Sequence, residues 1–364
     1  MGSPVGAGLV PALGDHKGRP YEAQAESVNM VGLGISLALL SGIANGLFTA
    51  PMKLIRRWKW ENIWLVFILT ACLVMPSAVV FATIGSPGAV FAQTPQAALA
   101  AALGFGFAWG FGAILFGLSV DRLGVALSNS MVLGVSSAMG SLIPLILHGA
   151  IRLEMRQAAL LAGVLAFVAG VWLCGAAGRI RDSSGALGPA RPSWAGYLYA
   201  VSAGVLSAVF NIGYSLALPI ADAGVRLGFR RFLATNCIWL LMLGAGAIPN
   251  IIYCASLMKK HHAFGLFFVP GPHKTWGLSI LMGVLWGGSI FLYGAATPLL
   301  GDIGPSIGWP LSLAVALVVA NLMGILLGEW KSVERKAVQR MRAGVILMLA
   351  AIVLCAIAAS AGGS

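Results

Sequence analysis

A motif that occurs twice inside apolar segments constrains this chain most. It is a Trp-Gly pair followed seven residues later by an aromatic-Gly pair, and its copies are Trp109 to Gly117 and Trp286 to Gly294. The copies begin 177 positions apart (286 − 109). This spacing places both aromatic rings of a copy on one helical face, and glycines let helices approach closely in lipid. The duplication predicts a membrane protein built from internal repeats.

The composition is that of a protein with many membrane spans. The 364 residues are 59% hydrophobic and 9% charged, whereas soluble domains are about 25% charged. A run of about 20 apolar residues can cross a bilayer as a helix. Ten such runs are predicted, at residues 31–52, 62–84, 97–120, 124–147, 157–177, 194–218, 231–256, 276–298, 303–327 and 338–360. The predicted fold class is an all-α integral membrane protein with ten transmembrane helices.

The duplicated motif divides the ten helices into two halves. Its copies fall in the third and eighth helices, as two repeats of five helices require. A second echo links the first and sixth helices, where Gly42 and Phe48 recur as Gly204 and Phe210. Because five is odd, the second repeat must be inverted relative to the first, as in many secondary transporters. The predicted organisation is a disordered N-terminal tail (1–29), a first repeat (30–178), a cytoplasmic linker (179–193) and a second repeat (194–364).

The distribution of basic residues predicts the orientation. The loops after the odd-numbered helices, counted with Arg340 and Arg342 in the first turn of the tenth helix, hold 16 of the 23 Lys and Arg residues, and such an excess marks the cytoplasmic side. Both termini are therefore predicted to face outward. Basic loops also attract anionic headgroups, so membrane lipids are expected partners. Nucleic-acid binding is the competing explanation of the net charge of +12, and it is disfavoured because the basic residues lie in short loops between spans.

The spans lack the groups that catalysis or metal binding requires. None of the 11 Asp and Glu residues lies at the centre of a predicted span, and neither does any His, Lys or Arg. Enzymes need such groups in clusters, so no enzyme activity and no cofactor are predicted. The five Cys residues show no paired spacing, which argues against disulfides and metal sites. A charged substrate would need a compensating charge in the spans, so a neutral substrate is favoured.

Aromatic side chains inside the spans suit a small neutral sugar. Trp109 and Trp286 lie mid-span, where an indole N–H needs a partner or a wet cavity. Trp286, Ser289 and Tyr293 share one helical face. Aromatic rings stack on the C–H faces of sugars, while hydroxyls and amides bind the alcohol groups. The alternative is that both tryptophans only pack in the core.

Two asparagines occupy roughly corresponding places in the two halves. Asn45 lies in the first helix and Asn211 in the sixth, with Tyr214 three residues later. These side chains could complete a polar cavity between the repeats. An asparagine in a membrane helix also clasps neighbouring helices by hydrogen bonds, which is the structural alternative.

Residues Gly46 to Lys53, followed by Trp58 to Glu61 and Trp64, resemble the first hairpin of the bacterial L-rhamnose–proton symporters. Further blocks fall in the order that this family shows, over about residues 30–360: Trp109 to Gly124, Pro219, Trp286 to Tyr293, Trp309 and Gly328 to Trp330. The resemblance implies membership of the drug/metabolite transporter superfamily, with inverted five-helix repeats and alternating access. It also implies uptake of a 6-deoxyhexose with protons across a bacterial inner membrane.

Four positions depart from the family pattern. Ala113 and Leu115 stand where the family carries asparagines, Ser289 where it carries a glutamine and Ser312 where it carries a histidine. Each lost hydrogen-bond partner should cost about 1 kcal/mol or more. The departures leave fold and family intact and leave the exact sugar and the proton coupling open.

The predicted function is uptake of a neutral monosaccharide, L-rhamnose or a related 6-deoxyhexose, by proton symport. The predicted substrate-binding residues are Asn45, Trp109, Asn211, Tyr214, Trp286, Ser289, Tyr293 and Trp309. Asp121, beside Arg122 at the end of the third helix, is predicted to couple protons, the alternative being a loop ion pair. Other possible functions are an exporter or exchanger of another metabolite without proton coupling, and a membrane scaffold or lipid-handling protein. Nothing in the sequence indicates which oligomeric state the protein adopts.

Overall fold

The computed structural model describes residues 19–123, 125–147, 154–183, 194–268, 273–326, 330 and 333–361, and every regular element in them is helical. The α-helices are α1 (Arg19–Leu47), α2 (Trp60–Ile68), α3 (Met75–Thr83), α4 (Pro87–Ala92), α5 (Gln96–Leu123), α6 (Val125–Leu147), α7 (Met155–Ser183), α8 (Trp194–Leu216), α9 (Leu218–Arg226), α10 (Arg231–Ala234), α11 (Asn236–Lys260), α12 (His273–Ala296), α13 (Gly304–Leu326) and α14 (Arg335–Ser360). Short 3₁₀ helices cover Ala50–Leu54, Phe264–Phe268 and Thr297–Leu300. Ten spans among these residues are long and apolar enough to cross a membrane, which confirms the predicted fold class.

The ten spans overlap the ten predicted segments. In chain order they are α1, α2 with α3, α5, α6, α7, α8 with α9, α10 with α11, α12, α13 and α14. Two of the predicted domain boundaries fall inside helices, because α1 begins at Arg19, within the predicted tail, and α7 ends at Ser183, within the predicted linker. Residues 19–29 contain Glu, Ala and Gln, which favour a helix, but they hold no continuous apolar run. Residues 1–18 and 184–193, the remainder of tail and linker, lie outside the described residues.

The second span is interrupted at its centre. A π-helical segment, Leu69–Val74, joins α2 to α3. Pro76 lies just beyond it, in the first turn of α3. Proline has no N–H and its ring clashes with the carbonyl four residues earlier, so a wider turn before it relieves the clash. The span therefore crosses the membrane without breaking.

Gly110 of the duplicated motif and Gly106, one turn before it, bring α5 against α11. A Cβ at Gly106 would lie 2.3 Å from the carbonyl oxygen of Met242, and one at Gly110 would lie 2.4 Å from that of Gly246. No side chain fits at either position without moving the backbone of α11. Close backbone contact of this kind is how helices associate in lipid.

The same crossing recurs between α12 and the second span. Gly283 lies against Phe67 and Thr70, and Gly287 lies against Ala71. The two glycines stand 177 positions after Gly106 and Gly110, and the residues they meet stand 175 positions before Met242 and Gly246. The duplicated sequence motif thus makes two equivalent helix crossings.

The first and sixth spans also have corresponding neighbours. α1 packs on α12 and α13, while α8 packs on α5 and α6. Gly42 of α1 lies against Val315 of α13, and Gly204 of α8 lies against Val135 of α6. The fifth and tenth spans, α7 and α14, pack against each other. Helix neighbours in the two halves therefore match, which is the pattern expected of two repeats related by a twofold axis.

Candidate substrate cavity

A cavity of about 1000 Å³ runs from the middle of the bundle to one end. Its lining comes from both halves of the chain, on α1, α2, α5, α6, α7, α8, α11, α12 and α13. Thr49, Trp60, Arg181 and Trp330 mark the open end, which we term the mouth. These four residues adjoin the basic loops that the sequence predicts to be cytoplasmic. Small-molecule pockets are commonly about 300–1,000 Å³, so a monosaccharide fits.

The two tryptophans of the duplicated motif meet in the cavity wall. The rings of Trp109 and Trp286 stack with centroids 5.2 Å apart and planes 11° from parallel. Phe210 packs on Trp109 at 4.9 Å, and Phe67 meets Trp286 edge-on at 5.8 Å. Because Trp109 and Trp286 stack on each other, one face of each indole is covered. At most one face of each ring is left for a ligand.

A buried hydrogen-bond cluster closes the end opposite the mouth. Asn211 Nδ2 donates to the carbonyls of Gly140 (2.7 Å) and Pro305 (3.1 Å), and Asn211 Oδ1 accepts from the hydroxyl of Tyr293. The hydroxyl of Tyr214 bonds to Thr297 and donates to the carbonyl of Gly294. The side chains of Asn211, Tyr214, Tyr293 and Thr297 are at most 1% exposed. We term these four residues the outer seal.

The seal separates the predicted substrate-binding residues into two groups. Six of the predicted residues line the cavity, where a bound sugar could touch them: Asn45, Trp109, Trp286, Ser289, Tyr293 and Trp309. Asn211 and Tyr214 do not line it, because their polar atoms are engaged in the seal. Tyr293 belongs to both groups, because it lines the cavity and its hydroxyl bonds to Asn211 in the seal.

Serines form a hydrogen-bonded strip on the wall. Ser41 Oγ donates to the carbonyl of Ser289 (2.8 Å) and lies 2.9 Å from Ser312 Oγ. Ser289 Oγ donates to the carbonyl of Trp286 at 2.6 Å. The strip holds α1, α12 and α13 together. Because the proton of Ser289 is already engaged, this side chain faces the cavity as an acceptor.

The indole of Trp309 is anchored from a different side. Its Nε1 donates to Ser136, whose hydroxyl in turn donates to Ser207 at 2.9 Å. Ser207 lines the cavity. The ring of Trp309 also meets Tyr293 edge-on at 5.4 Å. This chain of contacts joins α13, α6 and α8 beside the outer seal.

Two amides on the wall have no hydrogen-bond partner among the described residues. Asn45 on α1 was predicted, and Asn129 on α6 was not. Sequence reasoning missed Asn129 because it lies in the first turns of its span, where polar residues are common. Asn321 on α13 also lines the cavity, and its Nδ2 donates within its own helix.

The lining is nearly uncharged. Among the described residues that line the cavity, Arg181 is the one charged side chain, and it lies over the ring of Trp330 at the mouth. No group of three or more His, Cys, Asp or Glu residues that could hold a metal occurs in the described part of the chain. The predicted proton-coupling residue, Asp121, has a side chain outside the described residues.

Comparisons with known proteins agree with this architecture. A family described as L-rhamnose-proton symport protein (RhaT) matches residues 27–360. An L-rhamnose-proton symporter of Klebsiella pneumoniae (strain 342) is 26% identical over 331 residues, covering 88% of this chain and 95% of the relative. The same-named protein of Escherichia coli (strain 55989 / EAEC) is 25% identical over 333 residues, covering 89% and 96%.

A solved structure shares the fold. One crystal structure matches with a TM-score of 0.54 and 17% sequence identity, covering 91% of this chain and 98% of the other. The family match spans nearly all of the ten-helix bundle and confirms the resemblance seen in the first hairpin. The family is one of carriers and not of enzymes. This chain belongs to the L-rhamnose-proton symport protein family.

Proposed function

We propose that the chain carries L-rhamnose, or a closely related 6-deoxyhexose, together with protons across a bacterial inner membrane by alternating access. The observation that carries the proposal is the cavity itself. The duplicated Trp109 and Trp286 meet on its wall, and the amides of Asn45 and Asn129, which have no hydrogen-bond partner in the described part of the chain, line it. Family membership and the names of the relatives support the substrate and the coupling.

The chemistry of the wall suits a deoxy sugar. A 6-deoxyhexose offers hydroxyls, apolar C–H faces and a methyl group. Amides pair with hydroxyls, and indole rings pack on the C–H faces and the methyl group. The near absence of charge from the lining favours a neutral ligand, since a charged one would lack a partner. Ala113, which also lines the cavity, contributes apolar surface where the family carries a polar group.

The structure corresponds to an inward-facing conformation in this proposal. The mouth adjoins the basic loops, and basic loops lie on the cytoplasmic side. With ten spans and this orientation, both termini are periplasmic. The matched helix neighbours support two inverted repeats, whose exchange of arrangements would close the mouth and open the outer seal. Exposed apolar side chains such as Leu165 and Trp172 would face lipid.

Transport by the purified full-length chain in liposomes tests the proposal. We expect labelled L-rhamnose to accumulate when the outside is acidic, and accumulation to stop when a protonophore collapses the gradient. D-glucose should compete weakly, because its 6-hydroxyl would meet the apolar wall. Sugar exchange that ignores the proton gradient would instead favour an uncoupled exchanger. The described part of the cavity lining holds no carboxylate, which is the observation that keeps this second candidate open.

A further inference from the structure

A ladder of aromatic rings runs from the side of the mouth to the outer seal. Neighbouring ring centroids lie 4.7–5.8 Å apart. In order, the rings belong to Trp64, Phe67, Trp286, Trp109, Phe210 and Trp239. All of these residues except Trp239 line the cavity. The sugar site described above therefore uses the ladder as far as Phe210 and gives no role to its last ring.

Trp239 is enclosed by the outer seal. Its side chain is 0% exposed. The ring stacks on that of Tyr214 with centroids 4.5 Å apart and planes 2° from parallel, and its centroid lies 6.1 Å from that of Tyr293. Both tyrosines belong to the seal, so opening the seal has to move rings that cover Trp239. The indole thus lies where the inward-facing and outward-facing arrangements must differ.

The indole N–H of Trp239 is buried and has no hydrogen-bond partner among the described residues. An unpaired buried N–H is costly, and buried polar groups in folded proteins are nearly always paired. A Cβ at Gly294 would overlap Trp239 Nε1, so a glycine of the duplicated motif is what admits this edge of the ring. The bundle is therefore shaped to hold a donor that it does not use in this conformation.

The equivalent residue of the first repeat already lies on the wall of the open cavity. Trp239 stands 175 positions after Trp64 (239 − 64), the offset that also relates the partners of the glycine crossings. Trp64 lines the cavity on the side of the mouth. Exchange of the two repeat arrangements would place Trp239 on the wall of a cavity that opens outward, as Trp64 lies on the wall of this one.

The two equivalent indoles differ in what their N–H groups meet. Trp64 Nε1 donates to Asn250 Oδ1 at 3.1 Å. The residue equivalent to Asn250 is Met75 (250 − 175), and a thioether is only a weak acceptor. Exchange of the repeats therefore supplies Trp239 with no amide acceptor. Its N–H stays available in the outward-facing arrangement, where a ligand can reach it.

We propose that Trp239 forms a second sugar site, which binds the neutral sugar in the outward-facing state before it reaches Trp109 and Trp286. The inference rests on the proposed function. The indole N–H donates to a hydroxyl oxygen of the sugar, and an apolar C–H face of the sugar packs on the ring that Tyr214 uncovers. The sugar then passes along the ladder to the cavity. The seal closes behind it and buries the N–H again.

Trp239→Phe tests the site, because it keeps an aromatic ring and removes the N–H. The half-saturating concentration of labelled L-rhamnose is measured without a proton gradient, in right-side-out vesicles for the outer face and in inside-out vesicles for the cytoplasmic face. It should rise about fivefold at the outer face, as loss of one hydrogen bond requires. It should not rise at the cytoplasmic face, since a contact contributes only in the state that makes it.

Trp172→Phe is the matched control, because Trp172 lies exposed on the surface of the bundle. It should match the unmodified protein at both faces. An equal rise at both faces in Trp239→Phe, or no rise at either, overturns the proposal, because a ring that only packs has no sidedness. Lack of L-rhamnose transport by the unmodified protein would instead refute the proposed function, so the two failures are distinguishable.

Sugar analogues give a second measurement if Trp239→Phe does not fold. Analogues of L-rhamnose that each lack one hydroxyl compete with the labelled sugar at either face of the unmodified protein. One of them should compete about fivefold less well at the outer face than at the cytoplasmic face, because the N–H of Trp64 is held by Asn250 and cannot replace that of Trp239. The same ranking and affinities at both faces would overturn the proposal.

Discussion

At the scale of single residues, the stacked indoles decide how a sugar can be held. Trp109 fixes one face of Trp286, and Phe67 packs against the edge of the same ring. A ring held in this way loses little further freedom when a ligand stacks on its other face, and such preorganisation improves affinity. Trp286 is therefore the aromatic residue we expect to contribute most to binding.

Replacing Trp286 by Ala should weaken L-rhamnose binding by about 1–3 kcal/mol, the size of losing an aromatic anchor. Calorimetric titration of the purified protein measures the loss. Trp172→Ala serves as the control, because Trp172 is 68% exposed on the surface of the bundle and should leave affinity unchanged. Unchanged affinity in folded Trp286→Ala would mean that this ring only packs against Trp109.

Single residues also show where sequence reasoning reaches its limit. Repetition was enough to single out Trp109 and Trp286, because equivalent residues of two repeats meet at the axis between them. Asn211 and Tyr214 were predicted on the same grounds, yet they lie beyond the cavity floor, since helical periodicity gives a face and not a depth. The contact of Glu61 Oε1 with His261 Nδ1 (2.7 Å) could not be predicted, because the two residues are 200 positions apart in the chain.

At the scale of helices, glycine spacing distinguishes crossings from open surface. Gly104 and Gly106 lie on the same helix, α5, two residues apart. A Cβ at Gly104 would meet nothing within 4 Å, whereas one at Gly106 would lie 2.3 Å from a backbone oxygen of α11. The sequence predicted that such glycines bring helices together. Which glycine faces which helix follows only from the assembled bundle.

Gly106→Ala should destabilise the protein by about 1–3 kcal/mol, because the added methyl group overlaps the backbone of α11 and forces the two helices apart. Thermal unfolding in detergent would show this as a lower midpoint. Gly104→Ala adds the same methyl group on the open side of α5 and should leave the midpoint unchanged or slightly higher, since Ala favours a helix. Equal midpoints for the two variants would contradict the α5–α11 crossing.

At the scale of the whole molecule, the outer seal suggests how the mouth closes. The repeat offsets assign Asn211 to Thr49 and Tyr293 to Phe116 (211 − 162 and 293 − 177). Thr49 and Phe116 both line the cavity towards the mouth. If the repeats exchange arrangements, Phe116 packs near Thr49 when Tyr293 leaves Asn211. The inner closure then lacks the hydrogen bond of the outer one, so the seal itself should bias the protein towards the inward-facing state.

Tyr293→Phe tests this bias. The variant leaves Asn211 Oδ1 without its buried donor, a loss of about 1–3 kcal/mol that falls only on the inward-facing state. Because a ligand or mutation shifts a two-state equilibrium through such a difference, the mouth should be closed more of the time. A cysteine introduced by Thr49→Cys reports on the mouth, in a background with Cys174→Ala because Cys174 lines the cavity; the other native cysteines are buried and do not line it.

An impermeant maleimide added to inside-out vesicles should label position 49 in this background, and more slowly once Tyr293→Phe is added, because a loss of ~1 kcal/mol lowers the ratio of inward-facing to outward-facing protein about fivefold. Tyr197→Phe, the same chemical change near the other end of the bundle, should leave the rate unaltered. An unchanged or faster rate with Tyr293→Phe would refute the seal as the source of the bias. Labelling only in right-side-out vesicles would reverse the proposed orientation, because the basic loops would then face the periplasm.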